Sequence, residues 1–266
     1  RRHPDIRLAL NGDFSALWVG QLISLFGDRV HQVALAFLVL GATNSPVAVA
    51  GVFLAATLPN LLLGPIAGTL VDRWNQQEVM VVSDLLRAAA VLLIPVAAAT
   101  NILLVYPLVF AVTSISIFFR PARTAVMPRI VRDDELLTAN SATWIGETLA
   151  DIGGYPLAGL FVAFLGSALP LAFWIDAATY VASAVLIATV TVPPVRRSAE
   201  AAAGAIGGFL GELKAGWRFL RKETVLLANT LQGAVGQFTV GVTLAITPLY
   251  ARDTITGSTF DASAVY

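Results

Sequence analysis

Residues 88–119, AAAVLLIPVAAATNILLVYPLVFAVTSISIFF, run from Arg87 to Arg120 without a single charged side chain. The hydrocarbon core of a bilayer takes about 20 apolar residues in helical form. This stretch exceeds one crossing, and Asn101 interrupts it. It reads as two antiparallel spans, 79–99 and 102–121, joined by a tight turn. Outward from there the same pattern recurs at 14–40, 46–71, 137–165, 169–192 and 224–249. Asn44-Ser45-Pro46 and Gly166-Ser167 break the pattern, and Pro46 suits a first helical turn. Gly and Pro inside spans (Pro59, Gly64, Pro65, Gly68) are tolerated in membrane helices, where small residues permit close approach. The expected fold class is an all-α polytopic membrane protein with about seven spans.

Composition agrees. The chain is 57% hydrophobic and 13% charged, with mean hydropathy +0.77. A soluble domain carries about 25% charged residues, and a large soluble helical protein needs charged outer faces that these stretches lack. The formal net charge is zero, so no nucleic-acid partner is expected. The absence of cysteine excludes thiolate metal sites, Cys nucleophiles and disulfides. No signal-peptide cleavage pattern is visible.

Charge placement sets an expected orientation. Basic residues gather in the N-terminal tail (Arg1, Arg2, Arg7) and in alternate loops: Arg73; Arg120, Arg123, Arg129 and Arg132; Arg196, Arg197, Lys214, Arg218, Arg221 and Lys222. Arg29 and Arg87 lie within spans, and only Arg252 falls on the other side. The opposite loops near 42–46, 99–102 and 166–169 are uncharged. The positive-inside rule then places the N-terminus and the basic loops in the cytoplasm.

The expected organisation is a six-span bundle over 1–192, a cytoplasmic linker over 193–222 and a further span within 223–266. The linker opens on Pro193-Pro194 and passes through an Ala/Gly-rich stretch at 199–208. It ends in an amphipathic segment, 209–223, in which Phe209, Leu210, Leu213, Trp217 and Leu220 recur at helical spacing opposite basic residues. Such a helix lies in the membrane interface. Six spans, a linker and a new span suggest a twofold repeat cut off as its second half begins.

The resemblance to a known family rests on several motifs. Gly68-Thr69-Leu70-Val71-Asp72-Arg73, between spans two and three, resembles the G-x-L-x-D-R loop of the major facilitator superfamily. The whole set is similar to its bacterial drug and siderophore exporter branch, which includes macrolide, tetracycline and enterobactin exporters. Leu17-Trp18-Val19-Gly20-Gln21 with Gly27-Asp28, Phe118-Phe119-Arg120-Pro121-Ala122, Met127-Pro128, Leu137-Thr138-Ala139-Asn140-Ser141, Ile175-Asp176-Ala177 and Gly216-Trp217-Arg218-Phe219-Leu220 carry the rest. The resemblance covers about the first half of such a transporter. It implies a major facilitator-type six-helix bundle, with a missing C-terminal bundle as partner. It also implies a cytoplasmic latch around Gly68, Asp72, Arg73, Asp84, Arg87, Arg120 and Arg123, in which Asp72 caps a helix of the second half. Two departures stand out. Asn75-Gln76-Gln77 replaces the usual Gly and basic residues after the loop motif. The span-five antiporter-type motif G-P-x-x-G-G is reduced to Gly153, Gly154, Pro156 and Gly159.

Ionisable residues inside a membrane are costly and so are functional candidates. Gln21, Ser24, Asp28, His31 and Gln32 share one face of span one at i, i+3, i+4 spacing. That polar stripe suits a cavity wall, with Asp28 taking up the coupling proton and His31 sharing it. The opposing reading is that Asp28 pairs permanently with Arg29 or another helix. Glu147 and Asp151, four apart on span five, are candidates for cation binding or proton relay, or else pair with Arg29 or Arg87. Asp176 on span six reads as a structural hydrogen-bonding residue.

No phosphate loop G-x-x-x-x-G-K-[ST] is present, so no ATP is used. With only His3 and His31, no metal site or cofactor is expected. The expected function is a secondary exporter by alternating access, proton-coupled, for amphiphilic or cationic drugs, antibiotics or siderophores, in the bacterial inner membrane. A lipid or lysophospholipid flippase on the same fold and a non-transporting sensor or assembly partner are the alternatives. An enzyme is not expected, since no nucleophile–base constellation is visible.

Overall fold

The computed structural model describes residues 7, 8, 10–193, 217–250 and 254. Six long helices fill the N-terminal part: α1 (Gly12–Thr43), α2 (Pro46–Val71), α3 (Gln76–Thr100), α4 (Val105–Ile130), α5 (Leu136–Leu165) and α6 (Pro170–Ala188). Single 3-10 turns precede α4, α5 and α6. The breaks form where the sequence puts them. Asn11 caps α1, its side chain accepting from Phe14 N–H at 3.1 Å. Asn44 ends α1 in a left-handed conformation (φ 52°), and Ser45 caps α2 through Ala48 N–H with Pro46 in the first turn. Asn101 ends α3 and starts the next turn by accepting from Leu103 N–H. Each cap satisfies orphan backbone groups that a membrane offers no water to satisfy.

Among the described residues, six helices are long and apolar enough to cross a membrane, α2 through its 46–64 portion. Two helix ends differ from the sequence expectation. α4 runs on to Ile130 instead of stopping near 121, because the charges at 120–129 end the hydropathy but not the helix. Pro121 and Pro128 lie inside it. α6 ends at Ala188, short of 192.

The chain divides into two compact units, Arg1–Pro193 with Ala245–Tyr266, and Pro194–Leu244. In the first, α1 is the most buried helix and packs between α5 and α6; α3 packs on α6 and α4, and α2 on α4. One apolar cluster centres on Val33, Leu40, Val91, Ile94, Phe173 and Tyr180. A second, at the end of the bundle carrying the basic residues, centres on Leu17, Met80, Val126 and Ile187. Glycines set the closest approaches to α1. A Cβ on Gly146 would stand 2.8 Å from Leu22 Cδ2, and one on Gly27 would overlap Thr179 Oγ1 and Asp176 Oδ1.

In the second unit, residues 217–222 are helical. Residues 194–216 lie outside the described residues, and with them most of the expected interfacial helix and the basic residues Arg196, Arg197 and Lys214. A helix, α7 (Thr224–Tyr250), forms where the seventh span is expected. Its 27 residues span roughly 40 Å at about 1.5 Å per residue, more than the bilayer core requires.

Candidate functional site

Two groups of ionisable side chains line opposite flanks of α1. The inner group joins α1, α3 and α6. Asp84 and Asp176 are fully buried, and His31 and Arg87 nearly so. Asp84 pairs with Arg87 one helical turn away, an i,i+3 pair facing α6. The Arg87 guanidinium lies 4.3 Å from the Tyr180 ring and 5.0 Å from the Phe119 ring, two cation–π contacts that shelter a buried charge. The Tyr180 hydroxyl donates to Asp28 Oδ1. His31 Nδ1 stands 2.9 Å from Asp176 Oδ2, and Asp176 Oδ1 accepts from Thr179 Oγ1 at 3.3 Å.

The outer group joins α1, α4 and α5 and is more open. Arg123 Nη1 donates to Glu147 Oε1 at 2.8 Å, Gln21 Nε2 reaches the same oxygen at 3.3 Å, and Arg120 stands 3.7 Å from Oε2. One turn farther along, Arg29 Nε donates to Asp151 Oδ1 at 2.9 Å. Arg29 Nη1 also donates to Gln32 Oε1 at 3.2 Å, and that oxygen accepts from the Tyr155 hydroxyl at 2.9 Å. Arg29 lies over the Tyr155 ring and beside buried Gly154. The Asp151 side chain is 52% exposed and that of Glu147 26%.

The candidates therefore separate. Asp28 and His31 go inward together with Asp176, while Glu147 and Asp151 go outward. Asp28 meets Tyr180 and not Arg29; Asp151 is the residue that pairs with Arg29. Of the span-one stripe, Gln21 and Gln32 join the outer group, and Ser24 turns back to donate to the Gln21 carbonyl. The residues expected to cluster as a latch do not lie in one place. Asp84 and Arg87 face the bundle interior, where Arg87 lies over the rings of Tyr180 on α6 and Phe119 on α4. Arg120 and Arg123 turn to Glu147. Asp72 and Arg73 remain at the end of α2, with Asp72 exposed and its backbone N–H donating to the Gly68 carbonyl at 3.1 Å. Arg73 lines an open groove of about 650 Å³ with Trp74, Glu78, Val82, Leu86 and Phe118. α5 passes unbroken through the Gly153, Gly154, Pro156, Gly159 motif, with Pro156 exposed and Gly159 buried.

The structure also gives the departures at 75–77 a role that the sequence did not reveal. Asn75 caps α3, Gln76 accepts from Arg129 at 3.0 Å, and Gln77 Nε2 donates to the carbonyls of Ile187 at 3.0 Å and Val190 at 2.7 Å. Neutral amides tie the α2–α3 turn to α4 and to the end of α6.

Charged groups at mid-span of apolar helices are functional candidates, and the comparisons with known proteins give the family. Residues 9–263 match the transmembrane secretion effector family of major facilitator proteins. The chain is a member of the major facilitator superfamily. Macrolide efflux protein A of Streptococcus pyogenes is 26% identical over 92% of this chain and 60% of its own length. An uncharacterized MFS-type transporter of Bacillus subtilis is 23% identical over 92% of the chain and 58% of its own length. Another, from Mycobacterium tuberculosis, is 34% identical over 48% of the chain and 30% of its own length. The chain thus spans about 60% of the macrolide efflux protein it matches. No solved structure matches it significantly. This major facilitator protein is a multi-pass membrane protein of a transporter family, and its relatives are named as carriers, not enzymes.

Proposed function

We propose that this major facilitator protein works as a secondary exporter, driving amphiphilic or cationic compounds out of a bacterial cell in exchange for protons. The observation that carries the reading is the outer group. Arg29 sits near the middle of α1 and Asp151 near the middle of α5, yet the Asp151 side chain is half exposed. A carboxylate at that depth facing hydrocarbon is costly, so this flank is best explained as the wall of a water-filled path. Export is supported by likeness to a macrolide efflux protein over nearly the whole chain.

In this reading the six-helix unit forms one wall of the path, and a partner bundle forms the other. Glu147 and Asp151 meet cationic substrate, Asp28 and His31 carry the coupling proton, and Asp72 latches against the partner bundle. The N-terminus and basic loops lie in the cytoplasm, as their charge favours.

Reconstituted full-length protein should release a preloaded cationic dye or a macrolide faster when a proton gradient is imposed across the vesicle. Efflux indifferent to that gradient would overturn the coupling. Normal transport in both Asp28→Asn and Glu147→Gln would overturn the site.

A further inference from the structure

The outer group holds more positive charge than its carboxylates can match. Arg29, Arg120 and Arg123 bring three guanidiniums to this flank of α1, and Glu147 and Asp151 bring two carboxylates. Arginine stays protonated in proteins, so the surplus is at least one positive charge, whatever protons the carboxylates hold. Asp28 does not make it up, because it turns to Tyr180 on the other flank.

The hydrogen bonds show an independent surplus, of donors. Glu147 Oε1 accepts from Arg123 Nη1 at 2.8 Å and from Gln21 Nε2 at 3.3 Å. Arg120 is left 3.7 Å from Oε2, beyond hydrogen-bond reach, with its side chain 77% exposed. Among the described residues its guanidinium makes no hydrogen bond, although each guanidinium carries five N–H donors. The Arg123 side chain is nine-tenths buried yet engages one nitrogen only, and its other nitrogens are not sealed off. Two guanidiniums thus converge on one carboxylate with donors to spare, a fork that matches the paired oxygens of a second carboxylate. Asp151 lies one turn farther along α5, about 6 Å at 1.5 Å per residue, and its half-exposed carboxylate is open to a cation. Trp144, three residues before Glu147 on the same face of α5, is exposed and offers an apolar surface beside both.

We propose that the substrate is a zwitterionic amphiphile, with a carboxylate seated on Arg120 and Arg123 and a cationic group about one helical turn away on Asp151. Its apolar body lies along Trp144. Seating it displaces little, because Glu147 keeps Oε1 for Arg123 and Gln21. A substrate carrying only positive charge adds to the surplus on this flank, whereas a carboxylate meets it. The inference rests on the export reading and narrows its substrate class.

A carboxyl-bearing rhodamine and its ethyl ester share one cationic ring system and differ in the carboxylate. Fluorescence anisotropy with the full-length protein in detergent should show the zwitterion bound about tenfold more tightly than the ester, the scale of one charge-assisted hydrogen bond. Arg120→Gln should erase that preference, weakening the zwitterion and leaving the ester as it was, and Arg120→Lys should restore part of it. Arg120 is exposed and makes no hydrogen bond among the described residues, so both variants should unfold at the wild-type temperature. Asp151→Asn should weaken both dyes. Arg132→Gln, at an exposed basic residue away from this flank, should change neither, which separates a seated carboxylate from general attraction to basic loops. In vesicles under a proton gradient the zwitterion should leave faster than the ester. Equal binding of the two dyes, or a preference that survives Arg120→Gln, would overturn the proposal; equal binding with efflux of both dyes leaves export standing without it. Selective binding with efflux of neither dye would overturn export and leave the carboxylate seat intact.

Discussion

The two flanks of α1 carry the same kinds of side chain in opposite settings. On the inner flank, His31, Asp84, Arg87, Asp176 and Tyr180 share a space with almost no access to water, and the half-buried Asp28 stands at its edge. On the outer flank, Arg29, Arg123, Glu147 and Asp151 pair just as closely but leave their carboxylates partly open. A sealed charge must be satisfied by fixed neighbours, because the low-dielectric interior offers no alternative. An open pair can trade its partner for water or for a passing ligand at little cost. The sealed Asp84, Arg87 and Tyr180 of the inner group are therefore suited to holding helices together, while Asp28 and His31 keep the proton role proposed above, and the outer group is suited to changing partners in the proposed transport cycle.

The largest expected effect tests the inner half of this contrast. Arg87→Met leaves Asp84 buried without its counter-charge and should lower stability by about 3–5 kcal/mol. A drop in the unfolding temperature of the detergent-solubilised protein would register it. The double change Asp84→Leu with Arg87→Met should recover most of the loss, since an apolar pair replaces an ionic one. On the outer flank, Asp151→Asn should cost less than about 1 kcal/mol, as exposed pairs do. Equal losses at Arg87 and Asp151 would break the contrast.

Transport should reverse that ranking. Glu147→Gln removes the negative charge that Arg123 and Gln21 share at Oε1, and dye efflux should fall about tenfold, or ~1.4 kcal/mol of barrier. The same variant should unfold near the wild-type temperature. An unfolding temperature lowered in step with efflux would move Glu147 to the structural side.

The helices themselves were legible because hydropathy and charge-free length answer the question of spanning directly, and Asn44, Asn101 and Gly166 mark breaks by their own turn chemistry. Membership of the two groups was less legible. Most of these helices are apolar around much of their circumference, so periodicity does not say which side of α3 faces α6. The sequence accordingly groups Asp84 and Arg87 with the latch residues at the helix ends, not with α6. Arg123 looked like a loop residue because its segment is charged, whereas α4 continues and carries it to Glu147. Asp176, which pairs with His31 in the inner group, lies some 150 residues from Asp28 in the chain, and the α1–α6 packing that Gly27 permits brings them together. The polar stripe on span one was visible, but not that it divides between two neighbours.

The smallest expected effect asks whether the inner flank acts as one rigid body. Gln77 joins α3 to the last carbonyls of α6, beyond the buried group that links the same two helices. Both bonds are only part-buried, so water replaces part of what Gln77→Ala removes, and the loss should be about 0.5–1.5 kcal/mol. Gln77→Lys restores a donor, and a positive charge at a helix C-terminus is favourable, so it should recover much of that loss. If the inner flank is a fixed frame and the outer flank is the moving part, neither variant should alter dye efflux. Efflux that falls with Gln77→Ala and returns with Gln77→Lys would instead mean that the seam between α3 and α6 opens in the transport cycle, and the division between frame and path would have to be drawn elsewhere.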